Sequence, residues 1–158
     1  MASPPKVLVA LDDSENAARA VEYVSRIFSP DHEVTLFSVI PDTQTLCSMN
    51  SPELTPYFSS QRDVFCALED KKKELIEAAA NKAKDLLVKA GFKKEKIVVR
   101  VQAKKKGIAR DIAAEAESGY DTIVLGRRGL SGIKEFVMGS VSQKVLHSVK
   151  DVSILIVS

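Results

Sequence analysis

Three glycines and a serine carry most of the chemical information in this chain. From 121 the sequence runs Asp121-Thr-Ile-Val-Leu-Gly126-Arg127-Arg128-Gly129, then through Ser131, Gly132 and Lys134 to Gly139-Ser140-Val141-Ser142. A short apolar run therefore feeds directly into a glycine-rich stretch, which delivers a helix beginning near Ser140. Glycine lacks a Cβ, so its backbone can take positive φ and lie close to a ligand. The first N–H groups of the following helix have no intrahelical acceptor, and the positive end of the helix dipole lies behind them. That combination is an anion site, best suited to phosphate. Arg127, Arg128 and Lys134 add positive charge to it.

A carboxylate stands at a second strand end. Val7-Leu8-Val9-Ala10-Leu11 is a continuous apolar run that stops at Asp12-Asp13-Ser14. In open parallel sheets, ligands lie beyond the carboxyl ends of the strands, where strand order reverses. If the two runs are neighbours there, Asp12 faces the Gly126 loop. An acid opposite a phosphate nest suits a nucleotide: carboxylate for hydroxyl or amine groups, N–H for phosphates. Both residues also have plainer readings. Ser140-Val-Ser-Gln143 is a capping box that would satisfy helix N–H groups without a ligand. Asp12 could simply start a helix, although Asp13 or Ser14 could do so instead. Two other phosphate loops do not fit. G-x-x-x-x-G-K-[S/T] is absent, and no G-x-G-x-x-G follows the first strand.

The elements that must position these residues alternate in type. After the first strand, Ala17, Ala20, Val21, Val24 and Ile27 recur at helical spacing. Glu33–Ile40 is rich in β-formers. Pro41 to about Arg62 holds three prolines and many Ser, Thr and Asn, and reads as a long loop with at most one short turn of helix. Leu68 to Ala90 is the clearest helix, capped by Gly91. Ile97–Val101 is a third strand; Ile108, Ala109, Ile112, Ala113 and Ala116 mark a helix; Thr122–Leu125 is a fourth strand. Val141, Val145, Leu146 and Val149 mark a helix, and Ile154–Val157 is a fifth strand. This β-α-β-α-β-α-β-α-β order implies an α/β fold with a parallel sheet and helices on both faces.

Composition closes off several classes. At 158 residues the chain suits one domain, and 23 basic against 21 acidic residues argue against a dedicated nucleic-acid coat. Charge is uneven: Asp31–Asp70 carries seven acids to one base, Lys71–Lys106 thirteen bases to four acids. No run of about 18 apolar residues is present, so no membrane span is expected. No signal peptide is read at the N-terminus. Cys47 and Cys66 make no disulfide framework and are expected as free thiols in a reduced, cytoplasmic protein. With His32 and His147 they are the soft metal ligands, and no two share metal-like spacing.

Gly126-x2-Gly129-x9-Gly139-Ser140 resembles the nucleotide motif of the universal stress protein family, in its ATP-binding branch. Val7–Glu15, Gly107–Ile112, Tyr120–Gly126, Gly139–Leu146 and the final apolar strand resemble that family too, so the likeness spans nearly the whole chain. It implies one Rossmann-like domain over 4–158, with a long loop at about 41–65 and an open five-stranded parallel sheet of order 3-2-1-4-5. It also implies a homodimer through the last strand. An adenine nucleotide, ATP with Mg²⁺ able to accompany its phosphates, would lie across the strand ends. Asp12 would meet the adenosine moiety and the Val39 backbone the adenine edge. Gly126, Arg128 and Gly129 would hold ribose and phosphate. Gly139, Ser140, Val141 and Ser142 would bind phosphates, with Ala10, Leu11 and Leu125 in the same contacting set. The role implied is regulatory, with no dedicated catalytic residues and at most slow hydrolysis. A ligand-free interaction module on the same fold, with an unidentified protein partner, is the alternative. An adenylating enzyme lacks its signature loops here, and nucleic-acid binding is not favoured by the charge balance.

Overall fold

The computed structural model describes residues 3–12, 15–49, 55–127 and 139–158. Its centre is a five-stranded sheet: β1 (Lys6–Ala10), β2 (Glu33–Ile40), β3 (Ile97–Ala103), β4 (Thr122–Gly126) and β5 (Ser153–Val157). All pairings are parallel, and the spatial order is β3-β2-β1-β4-β5. The expected sheet, strand order and Rossmann-like architecture are all present. Strand order reverses between β1 and β4, so the crevice above their carboxyl ends is the switch point.

The apolar strands are continuous because both faces are covered. Val7, Val9, Leu36 and Val124 pack on one face with Ala20, Val24, Ala83 and Leu87 from α1 (Glu15–Ile27) and α3 (Pro56–Lys89). On the other face Leu8, Phe37 and Ile123 pack with Ile112 and Ala116 of α4 (Ile108–Ala116) and Val145 of α5 (Ser140–Ser148). Alternate residues of one strand thus point into two separate cores.

The segment after β2 departs from expectation. A four-residue helix, α2 (Gln44–Cys47), precedes α3, and α3 begins at Pro56, so 56–62 is helical rather than loop. Thr55 supplies the cap, its Oγ1 accepting from Phe58 N–H at 3.2 Å, and proline stands in the first turn, where its missing N–H costs nothing. At 34 residues α3 is about 51 Å long at 1.5 Å per residue, and its buried residues, Ala80, Ala83 and Leu87, all lie in its last third. It ends at Ala90. Gly91 follows at φ +106°, where a side chain would be strained.

This early start of α3 corrects the cysteine expectation. Cys66 faces inward on α3 opposite Cys47 at the end of α2, and the two are joined in a disulfide with Cα atoms 5.9 Å apart. The Arg62 guanidinium donates to the Met49 carbonyl beside it, so the α2 segment is tied to α3 twice. Among the described residues, no helix is long and apolar enough to cross a membrane.

Candidate functional site

Four connections leave the carboxyl ends of the strands, and two of them meet at the switch point. The β1 end is fixed by Leu11 N–H donating to the Phe37 carbonyl at 2.8 Å, which carries the β1–β2 pairing one residue past the strand. Asp12, half-buried, follows immediately. Ala10 is half-buried and Leu11 buried at this rim, with Val39 buried near the end of β2.

The β4 end is built as tightly. Arg127 N–H donates to the Val157 carbonyl at 2.8 Å, and Gly139 N–H donates to the Arg127 carbonyl at 2.8 Å. Gly139 therefore returns directly to the end of β4. Gly126 lies against the start of α1: a Cβ added there would stand 3.1 Å from the Asn16 carbonyl oxygen. Glycine lets α1 and β4 approach closely just beneath the site.

Gly139 is the N-cap of α5, and among the described residues no side chain caps this helix. The capping box that is the plainer reading of Ser140-Val-Ser-Gln143 does not form. Ser140 is already the first helical residue, and Gln143 N–H bonds to the Gly139 carbonyl instead. Among the described residues no side chain accepts from the first-turn N–H groups of α5, the arrangement that suits an anion. Ser142 is buried, and its hydroxyl donates to the Gly126 carbonyl at 2.7 Å. That bond locks the first turn of α5 onto the end of β4. The structure thus brings together Ala10, Leu11, Asp12, Leu125, Gly126, Gly139, Ser140, Val141 and Ser142, with Val39 one strand away. Arg128 and Gly129 lie outside the described residues.

Sequence reasoning missed two polar residues. Ser38 on β2 is buried, and its hydroxyl finds no hydrogen-bond partner among the described residues. A serine inside an apolar strand was the available signal. Asp111 looks like a first-turn surface acid of α4 but is buried, and its carboxylate accepts from Lys105 N–H at 2.7 Å and Lys106 N–H at 3.1 Å. It pins the basic Lys104–Lys106 turn at the carboxyl end of β3, where Lys104 N–H also donates to the Ile40 carbonyl at 2.7 Å. The Lys105 N–H bond is the main cause holding the Asp111 carboxyl below its ordinary range, against the opposing effect of burial. A carboxylate whose folded pKa is depressed stabilises the protein above its unfolded value of about 3.9, and that contribution is lost as pH falls through the lower folded value. Asp111→Asn should therefore lower the urea midpoint at pH 7, and the gap to the native protein should close on acidification below about pH 4. An equal gap at pH 7 and pH 2.5 would contradict this role.

An open parallel sheet, wound on both faces, with a glycine-led helix at its switch point, defines an α/β module of the doubly wound class. The universal stress protein family model matches residues 5–158, and the chain belongs to that family. Among solved structures, hypothetical protein MJ0577 superposes with a TM-score of 0.71 at 24% identity, covering 99% of this chain and 96% of that one. The universal stress protein UspA from Lactobacillus plantarum gives 0.70 at 20% identity, with 100% of each chain covered. A universal stress protein in complex with cAMP gives 0.61 at 20% identity, covering 99% and 98%. At these identities the likenesses show the fold. No curated protein sequence matches the chain.

Proposed function

We propose that this protein is a regulatory module that binds ATP, with Mg²⁺ on its phosphates, across the ends of β1 and β4. The observation that carries the reading is the uncapped first turn of α5, held against Gly126 by the Ser142 hydroxyl. Its N–H groups suit phosphate oxygens, and the glycine N-cap leaves room for them to approach. Asp12 would bind the adenosine moiety and the Val39 backbone the adenine edge. Gly126, Arg128 and Gly129 would hold ribose and phosphate, and Gly139, Ser140, Val141 and Ser142 the phosphates. The fold neighbour solved with cAMP supports an adenine nucleotide as the ligand class.

Binding, rather than turnover, is the proposed work of the site. Nucleotide occupancy would bias a surface read by a protein partner. The single module is proposed to span 4–158, to act in the cytoplasm, and to dimerise through the edge strand β5, whose Ile154, Leu155 and Ile156 are only half-buried. Isothermal titration of nucleotide-stripped protein with ATP and Mg²⁺ tests the reading. The native protein should bind at micromolar ATP, and Asp12→Ala should weaken binding by roughly tenfold or more, as one charge-assisted hydrogen bond would. No heat of binding at millimolar ATP would leave the interaction-module alternative standing.

A further inference from the structure

The first two thirds of α3 present an apolar stripe to solvent. Tyr57 is 75% exposed, Val64 and Leu68 59% each, and Phe58, Phe65 and Leu75 43%, 42% and 45%. With aromatic side chains of 150–250 Å², these six residues expose on the order of 600 Å² per chain. That is the upper end of the largest apolar patches found on soluble monomers, which are often functional. The inner face of the same helix is engaged by Cys66, Arg62 and the α2 segment, so the stripe is the face left over.

We infer that this stripe is an interface with a second copy of the chain, formed by two α3 helices packed antiparallel. The spacing is a heptad seam: Phe58, Gln61, Phe65, Leu68, Lys72 and Leu75 follow at alternating steps of three and four. Its sequence is self-complementary when reversed. Phe58 meets Leu75 of the second copy, Phe65 meets Leu68, and Gln61 meets Lys72. A parallel pair would instead set Lys72 against Lys72 in the seam, which like charge disfavours. The antiparallel layer gives that ammonium, which pairs with Glu69 of its own helix at 3.1 Å, the Gln61 amide oxygen as a further acceptor, and such a polar layer fixes register. Two-fold symmetry lets the same patch serve both copies. The pair would bury about 1,200 Å² in total, the lower bound of a specific, stable interface. α3 packs beside β2 and β3, whereas the proposed β5 contact lies at the opposite edge of the sheet, so the two interfaces are independent.

The test uses the full chain in its oxidised form. Sedimentation velocity should show that the paired variant Phe65→Glu, Leu68→Glu loses one level of association, weakened about 100-fold or more by carboxylates in the seam. Both side chains are exposed, so the circular dichroism spectrum should not change. Ile154→Lys with Ile156→Lys removes the β5 contact and should leave α3 pairing intact. A benzophenone photocross-linker at position 58 should then capture peptides around Leu75. Those two positions are about 25 Å apart along one helix, so that product can form only between copies. Unchanged sedimentation of the Glu variant would overturn the interface. So would cross-links confined to a copy's own α2 segment, or binding of the chain as a monomer to anionic lipid vesicles through this stripe.

Discussion

Gly129→Val should abolish measurable ATP binding at micromolar nucleotide while leaving the fold intact. Gly129, in the sequence between β4 and α5, is proposed to let backbone N–H groups reach phosphate. Two branched methyl groups there would hold the chain away from it. Loss of two charge-assisted hydrogen bonds at about 1.5–3 kcal/mol each is a fall in affinity of at least about 100-fold. Gly126→Val is the instructive contrast. A Cβ there would already approach the Asn16 carbonyl oxygen to 3.1 Å, and two of the three nearest atoms belong to the α1 backbone. Overpacking should cost about 1–3 kcal/mol, and melting temperature should drop along with affinity. Calorimetric titration and thermal melts of the two variants separate a ligand loop from a packing position. Equal ATP affinity in Gly129→Val and native protein would remove the phosphate loop from the mechanism.

The largest loss of stability is expected at Phe37→Ala. Phe37 is fully buried, heading the side chains with no access to solvent, and it packs with Leu8, Ile123 and Val145 between the sheet and α4–α5. Truncation should cost about 3–5 kcal/mol, which for a domain of this size lowers the melting temperature by roughly 6–20 °C. The Phe37 carbonyl that anchors Leu11 N–H is untouched by the change, so nucleotide affinity measured well below the new midpoint should fall far less than stability. A loss under about 1 kcal/mol would mean that the α4–α5 face closes over the gap.

Most of the architecture was legible because it depends on runs of one residue type. Val7–Leu11, Thr122–Leu125 and Ile154–Val157 are apolar on consecutive positions, as only doubly covered strands need to be. Strand order came from the family resemblance, since periodicity alone does not say which strands touch. The start of α3 was illegible for a local reason. Pro56 reads as a breaker in a polar stretch, yet at the head of a helix the same ring is favourable. Missing that turn also hid the Cys47–Cys66 bridge, because nothing in a 19-residue spacing brings two thiols together unless a helix carries one of them back. At the site, Gly126 and the Gly139–Ser142 turn were readable from spacing. The division of labour within that turn was not. Gly139 caps, Ser140 is already helical, and it is Ser142 whose hydroxyl reaches β4. Asp111 could not be recognised, since a buried carboxylate and a surface one are spelled alike.

The disulfide also changes what a broken backbone means here. A peptide bond cut within the span it closes, from Cys47 to Cys66, divides the polypeptide into two fragments, one carrying β1, α1 and β2, the other most of α3 and everything after it. Under oxidising conditions those fragments stay one molecule, joined through sulfur and through the β2–β3 and β1–β4 pairings. Reduction leaves only noncovalent contacts, the sheet and the packing of α1 on α3, to hold them. Nicking in this span is thus reversible in its consequences for as long as the bridge lasts, and the thiol poise of the surroundings decides whether a cleaved copy persists as a complete protein or separates into halves.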